Sequence, residues 1–263
     1  MRNRIVSSFL VSVIILTFVC QVPGTTWGPK PVTCPICKTP NTFQSVKSYG
    51  SYIYRWPSKF QLIFWPLTDS PVLYSCRNCR LTCFMGDFEK VPENKYAELK
   101  KRLQGVTFDQ DYGEYTKIPM SQRLGAAETI YRVLGRDDEF WCRFYRVVGY
   151  HLDEENKQKE ADEARKKALS IVQGMLDRQE YAERRKELLL ISGAMRHFLK
   201  DNKGALQDFD EASKLTYRNK KLKREEAEGR DRYLSELLKE YLERIRQERK
   251  TPESERRKSK DKD

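Results

Sequence analysis

Two cysteine pairs, Cys34-Pro35-Ile36-Cys37 and Cys76-Arg77-Asn78-Cys79, stand 38 residues apart and constrain this 263-residue chain more than any other feature. Each CxxC spacing puts two sulfurs on one side of a tight turn, and two such turns face to face offer tetrahedral sulfur to one zinc ion. Between the pairs lie Tyr52, Ile53, Tyr54 and Trp56, then Phe60 and Leu62 to Trp65, then Val72, Leu73 and Tyr74, interrupted by Pro57, Pro66 and Pro71. These aromatic and branched runs predict short strands, the last of which would deliver the second pair as in a zinc ribbon. Cys34, Cys37, Cys76 and Cys79 are therefore expected to hold a structural zinc ion. Disulfides are the alternative, because an exported chain that loses Cys20 retains six cysteines, an even number. A thioredoxin-type role for Cys34 and Cys37 lacks the strand and helix it needs. Cys83 reads as an ordinary thiol, with a spare ligand as its alternative, and Cys142 as a small buried hydrophobe.

The compartment is read from the N-terminus. Arg2 and Arg4 precede an uncharged run, 5–22, rich in Leu, Val, Ile and Phe. That is the layout of a secretory signal, with cleavage expected near Gly24; an uncleaved anchor is the competing reading, and a lipoprotein signal at Cys20 fits poorly. Either way, the remainder is expected outside the cytoplasm, periplasmic or secreted, and bound to a membrane only if the segment is retained. At the other end, 251–263 has no apolar side chain and is expected to be disordered. Lys and Arg exceed Asp and Glu to give a formal net charge of +12, spread along the chain among acidic residues. Solvated helix faces explain it, and diffuse attraction to nucleic acid or anionic lipid is the alternative.

From Pro92 the apolar spacing becomes helical. Helices are expected near 93–104, 120–134, 137–152, 156–178, 180–200, 202–217 and 225–249, with Gly135 closing one and Asp137 opening the next. Val148-Gly149, Ala161 and Ala168 recur 44 residues later as Ser192-Gly193, Ala205 and Ala212, with Phe209 four residues beyond Ala205. Small residues at such positions let paired antiparallel helices cross closely, and the arrangement resembles the tetratricopeptide pattern. The first copy has Arg165 where that pattern has an aromatic, and a generic helical bundle is the alternative. The fold class expected is mainly α: a small β-containing, zinc-ribbon-like module at 25–91, then a tetratricopeptide-like array at 92–250.

The order Cys34-Pro35-Ile36-Cys37, Phe43, Phe64-Trp65-Pro66, Pro71 to Cys76 and Asp87-Phe88, followed by such helices, resembles a bacterial family catalogued as domain of unknown function 2225. The resemblance spans roughly 32–217. It implies that the four cysteines are metal ligands, and it supplies an architecture without a reaction. Arg77 stands where that family has proline, and Arg80 where it has the glycine that eases the turn.

No nucleophile elbow, phosphate-cradling loop or His-Glu-x-x-His helix is present, and His151 and His197 read as ordinary helical residues. An enzyme is not expected. The leading reading is an exported scaffold or protein-binding module, and the alternative is a zinc-ribbon nucleic-acid-binding protein, suggested by charge and interleaved aromatics. If the two glycines are equivalent, Arg143, Arg146 and Tyr150 of the first helix pair face a concave groove, with His197 and Phe198 further along the second. Two arginines beside a tyrosine suit a carboxylate or an acidic peptide partner.

Overall fold

The computed structural model describes residues 25–49 and 56–250. The N-terminal segment, the charged tail and the strand expected at 52–54 lie outside the described residues.

Two hairpins carry the cysteine pairs. Strand β1 (Thr25–Thr33) pairs antiparallel with β2 (Pro40–Tyr49), from Thr33 opposite Pro40 to Thr25 opposite Tyr49, with a register shift at Thr26/Trp27. Pro29 and Pro31 are tolerated because a two-stranded ribbon leaves one edge of each strand without ladder bonds. In β2, Asn41 and Phe43 point inward while Pro40 and Thr42 face solvent, the period of two that a half-buried strand requires. The second hairpin is minimal: β3 (Leu73–Ser75) pairs with β4 (Thr82–Phe84), all six residues buried.

The segment between the hairpins departs from expectation. Residues 56–65 are not a strand; Trp56–Phe60 form the short helix α1, and Gln61 and Ile63 both donate backbone hydrogen bonds to Ser58 O. Proline is favoured in a helix's first turn and disfavoured inside a ladder, so Pro57 selects helix here. Val72 belongs to a one-turn 3-10 helix, which leaves Leu73 as the first residue of the strand.

The helical remainder follows as α2 (Tyr96–Leu103), α3 (Met120–Leu134), α4 (Asp138–Glu154), α5 (Gln158–Leu176), α6 (Arg185–Phe198), α7 (Asn202–Ser213) and α8 (Arg224–Lys250). Gly135, at φ 67°, ends α3 in the left-handed region that glycine adopts without strain. Asp137 caps α4 by accepting from the Phe140 amide at 2.8 Å, and Asp201 caps α7 by accepting from the Gly204 amide at 2.9 Å. A 3-10 stretch, Gln179–Arg184, takes the place of the first turns expected of α6.

Helices α4 with α5, and α6 with α7, form two successive hairpins, and their crossings explain the repeat. A Cβ on Gly149 would approach Arg165 Cγ to 3.1 Å, while one on Gly193 would approach Phe209 Cδ1 to 2.7 Å. The spacing from glycine to facing residue is the same in both hairpins. Arg165 thus occupies the place that Phe209 holds in the second repeat. It fits because its guanidinium stacks on Phe198, 4.7 Å from the ring centre, and pairs with Asp153 and Asp162.

One apolar core runs through both parts. Val32, Phe43, Leu73 and Phe84 of the hairpins join Leu124, Tyr131, Phe144 and Leu190 of the helices. The composition change near residue 92 is therefore not a break in packing. Arg123 of α3, fully buried, donates to Ser70 O (2.8 Å) and Leu73 O (3.0 Å), tying the helical part to the second hairpin. Among the described residues no helix is long and apolar enough to cross a membrane.

Candidate metal centre

The two CxxC turns have the same backbone. Cys34 N donates to Thr39 O (2.9 Å) and Lys38 N to Cys34 O (3.0 Å); correspondingly, Cys76 N donates to Leu81 O (2.9 Å) and Arg80 N to Cys76 O (2.9 Å). Each turn folds its own amides toward its sulfurs. The amides of Cys37 and Thr39 serve the first pair, and those of Asn78, Cys79 and Leu81 the second.

The four cysteine sulfurs all lie within 4.8 Å of one another. Cys34 Sγ is 3.5 Å from Cys79 Sγ, and Cys37 Sγ is 3.6 Å from Cys76 Sγ, so the close pairs join opposite turns. A disulfide requires about 2.05 Å, and all six described cysteines are free. A tetrahedron with bonds of about 2.3 Å to zinc has edges of about 3.8 Å. The residues present therefore fit a four-coordinate, all-sulfur site. Cys34 and Cys76 are buried, whereas Cys37 and Cys79 reach the surface.

Without a cation, the sulfurs compete for protons. The hydrogen bond with Cys76 pushes Cys34 up to about 12, and its bond with Cys34 raises Cys79 further. Cys76 is held far below the ordinary thiol value, chiefly by its bond with Cys34. Burial works against ionising Cys37, but hydrogen bonds with the Thr39 hydroxyl and amide outweigh it and lower the value. Two sulfurs thus favour the thiolate and two the thiol, an arrangement in which a divalent cation can replace the shared protons.

Asn41 is the residue that the CxxC spacing does not reveal. Buried on β2, it places Nδ2 3.6 Å from Cys76 Sγ and 2.9 Å from Thr39 O, while its Oδ1 accepts from Arg77 N at 3.1 Å. One side chain therefore links both turns. The inward period of β2, with Asn41 two positions before Phe43, is the signal that points to it. Cys83 is not part of the cluster; it is fully buried, and burial raises its thiol well above the ordinary range.

No family model, curated protein or solved structure matches this chain.

The groove residues fall differently from expectation. Arg146 is only 7% exposed and donates from Nη1 to Gln61 O and Leu62 O, both at 2.9 Å, and from Nε to Cys142 O. Leu62, at φ 50°, is held in an unfavourable left-handed conformation at this contact. Tyr150 is buried, as is His197, whose Nδ1 lies 2.9 Å from Asn202 Oδ1. Phe198 is half-buried beneath Arg165. The groove face is covered by the chain itself: His151 Nε2 contacts Leu67 O at 2.9 Å, and Phe60 packs edge-on against Tyr241 of α8. The sequence does not reveal that Gln61, Leu62 and Leu67 cover the side of α4 that carries Arg146 and His151. Of the five expected partner-binding residues, only Arg143 is exposed.

Proposed function

We propose that this protein is an exported binding module whose N-terminal hairpins are stapled by one structural zinc ion. The observation that carries the reading is the grouping of four cysteine sulfurs from two hairpin turns at tetrahedral spacing. Zinc held by four thiolates has no open position for water or substrate, so it supplies folding energy and not Lewis-acid chemistry.

A binding role is favoured over nucleic-acid recognition by the burial of three of the aromatics between the cysteine pairs, although Tyr49 of the same stretch is exposed. Phe43, Phe60 and Tyr74 are buried in the core, which removes them as stacking platforms for bases. The histidines also argue for binding over catalysis: burial pushes His151 down to about 4, and its ring is committed to a backbone carbonyl. Export rests on the N-terminal apolar run, and kinship with domain of unknown function 2225 rests on the cysteine turns and the helices after them.

The purified protein should contain one zinc ion per chain, with four thiols that react only after chelation. Its mature N-terminus, read by intact mass after recovery from its host, should lie near Thr25. Metal-free protein with Cys34 and Cys37 joined as a disulfide would overturn the zinc reading. An uncleaved soluble cytoplasmic chain would overturn export.

A further inference from the structure

A cavity of about 610 Å³ opens between the α3–α4 turn, α4, α6, Arg230 of α8 and the apolar side chains of Leu62 and Phe64. Five arginines line it: Arg136, Arg143, Arg146, Arg184 and Arg230. Three have carboxylate partners. Arg136 pairs with Asp87 at 3.1 Å, Arg184 with Glu139 (2.8 Å) and Glu187 (3.1 Å), and Arg230 with Glu187 at 2.6 Å. The three carboxylates of the lining are engaged in turn, Glu139 and Glu187 by these arginines and Asp137 by the Phe140 amide.

Arg143 and Arg146 are left over. Among the described residues neither has a carboxylate partner, and Arg146, with Nε and Nη1 bonded to carbonyls, makes no hydrogen bond through Nη2. They lie three residues apart on α4, on one helix face. Arg146 is more than nine-tenths buried, and burial disfavours its charge; Arg143 adds to that effect, while Glu187 acts against it without forming an ion pair. Two neighbouring guanidiniums, one of them desolvated, thus line the cleft without an ion-paired carboxylate of their own.

We propose that this cleft binds a small phosphate monoester with an apolar body. Its head would lie between Arg143 and Arg146 Nη2, and its body against Phe64, Phe140 and Leu188. A phosphate monoester carries about −1.5 to −2 at neutral pH and so matches two unpaired guanidiniums, where a monocarboxylate matches one. Planar guanidinium donors suit phosphate oxygens. The volume falls in the range of about 300–1,000 Å³ used for organic ligands, well above the needs of bare phosphate. The proposal rests on the binding-module reading and gives it a ligand class.

The test is calorimetric titration of the metal-loaded, full-length protein with phenyl phosphate, phenylacetate, benzyl alcohol and inorganic phosphate. Phenyl phosphate should bind one to one and at least tenfold more tightly than the other three. Arg143→Gln should weaken it tenfold or more, while Lys166→Gln on an exposed face of α5 leaves it unchanged. Arg146 is also structural, so Arg143 carries the test. No binding of phenyl phosphate, equal binding of phenylacetate or inorganic phosphate, or undiminished binding by Arg143→Gln would each overturn the proposal. Zinc content and helical circular dichroism of the same samples separate this failure from failure of the metal-stapled module.

Discussion

Lys38 and Arg80 occupy equivalent positions, one residue beyond the second cysteine of each turn, and both have φ of 61°. A side chain at this angle costs about 1–2 kcal/mol relative to the right-handed region, yet neither turn has glycine. Each side chain has a task elsewhere. Lys38 lies over the Tyr96 ring at 5.6 Å, and Arg80 donates to Val106 O at 3.0 Å while approaching Phe108. The strained position in each turn thus holds its cysteine hairpin against the stretch of chain from Tyr96 to Phe108.

The two turns should respond oppositely to glycine. Lys38→Gly loses only a surface cation–aromatic contact and should stabilise the protein by roughly 0.5 kcal/mol. Arg80→Gly also loses a charge-assisted hydrogen bond and should destabilise it by about 1 kcal/mol. Urea unfolding of the metal-loaded variants checks the pair; the same sign for both would show that the side-chain contacts do not matter.

Asn41→Leu should leave the hairpins paired but weaken zinc binding by about 10- to 100-fold, as is usual when a group orienting metal ligands is removed. Competition with a chromophoric chelator measures this. An unchanged affinity would mean that the contact with Cys76 is incidental.

The helix crossings give a graded packing prediction. Gly193→Ala drives a methyl into the buried Phe209 ring and should cost about 3 kcal/mol. Gly149→Ala meets the side chain of Arg165 at a milder 3.1 Å and should cost less than about 1 kcal/mol, because alanine's helix propensity offsets much of the crowding. Chemical denaturation ranks them, and combining Gly193→Ala with Phe209→Leu should recover part of the loss.

Much of this architecture is legible in the sequence, and the omissions have physical causes. The grouping of the four cysteines follows from spacing alone, because two residues between thiols leave little choice of turn. Helix α3 begins and ends where expected, its end marked by Gly135. The crossing glycines appear as a repeat because close approach demands small residues. The long β1–β2 hairpin is hidden because Gly28, Pro29 and Pro31 break the alternation in β1. The chain's own occupancy of the groove is equally invisible: Phe60 and Leu62 have the composition of a strand, and although Pro57 favours a helical start, it is the tertiary contacts with Arg146 and Tyr241 that place them over α4 and against α8.

Acid should weaken the fold through His151. Burial holds its folded value at about 4, below the ordinary 6.5, so between pH 6.5 and 4 the unfolded chain takes up a proton that the folded chain refuses. Stability therefore falls as pH drops through that window, by roughly 3 kcal/mol from this residue, and the loss is absent above pH 6.5. In His151→Gln, which keeps a donor toward Leu67 O, the slope of stability with pH should fall by nearly one proton across that range. An unaltered slope would assign the acid sensitivity to other groups.

The most direct test of the stapled-module account is X-ray absorption at the zinc edge of the protein purified without added chelator or metal. Four sulfur neighbours at about 2.3 Å, with no nitrogen or oxygen in the shell, are predicted. A shell with fewer than four sulfurs, or protein that carries no zinc, would contradict it.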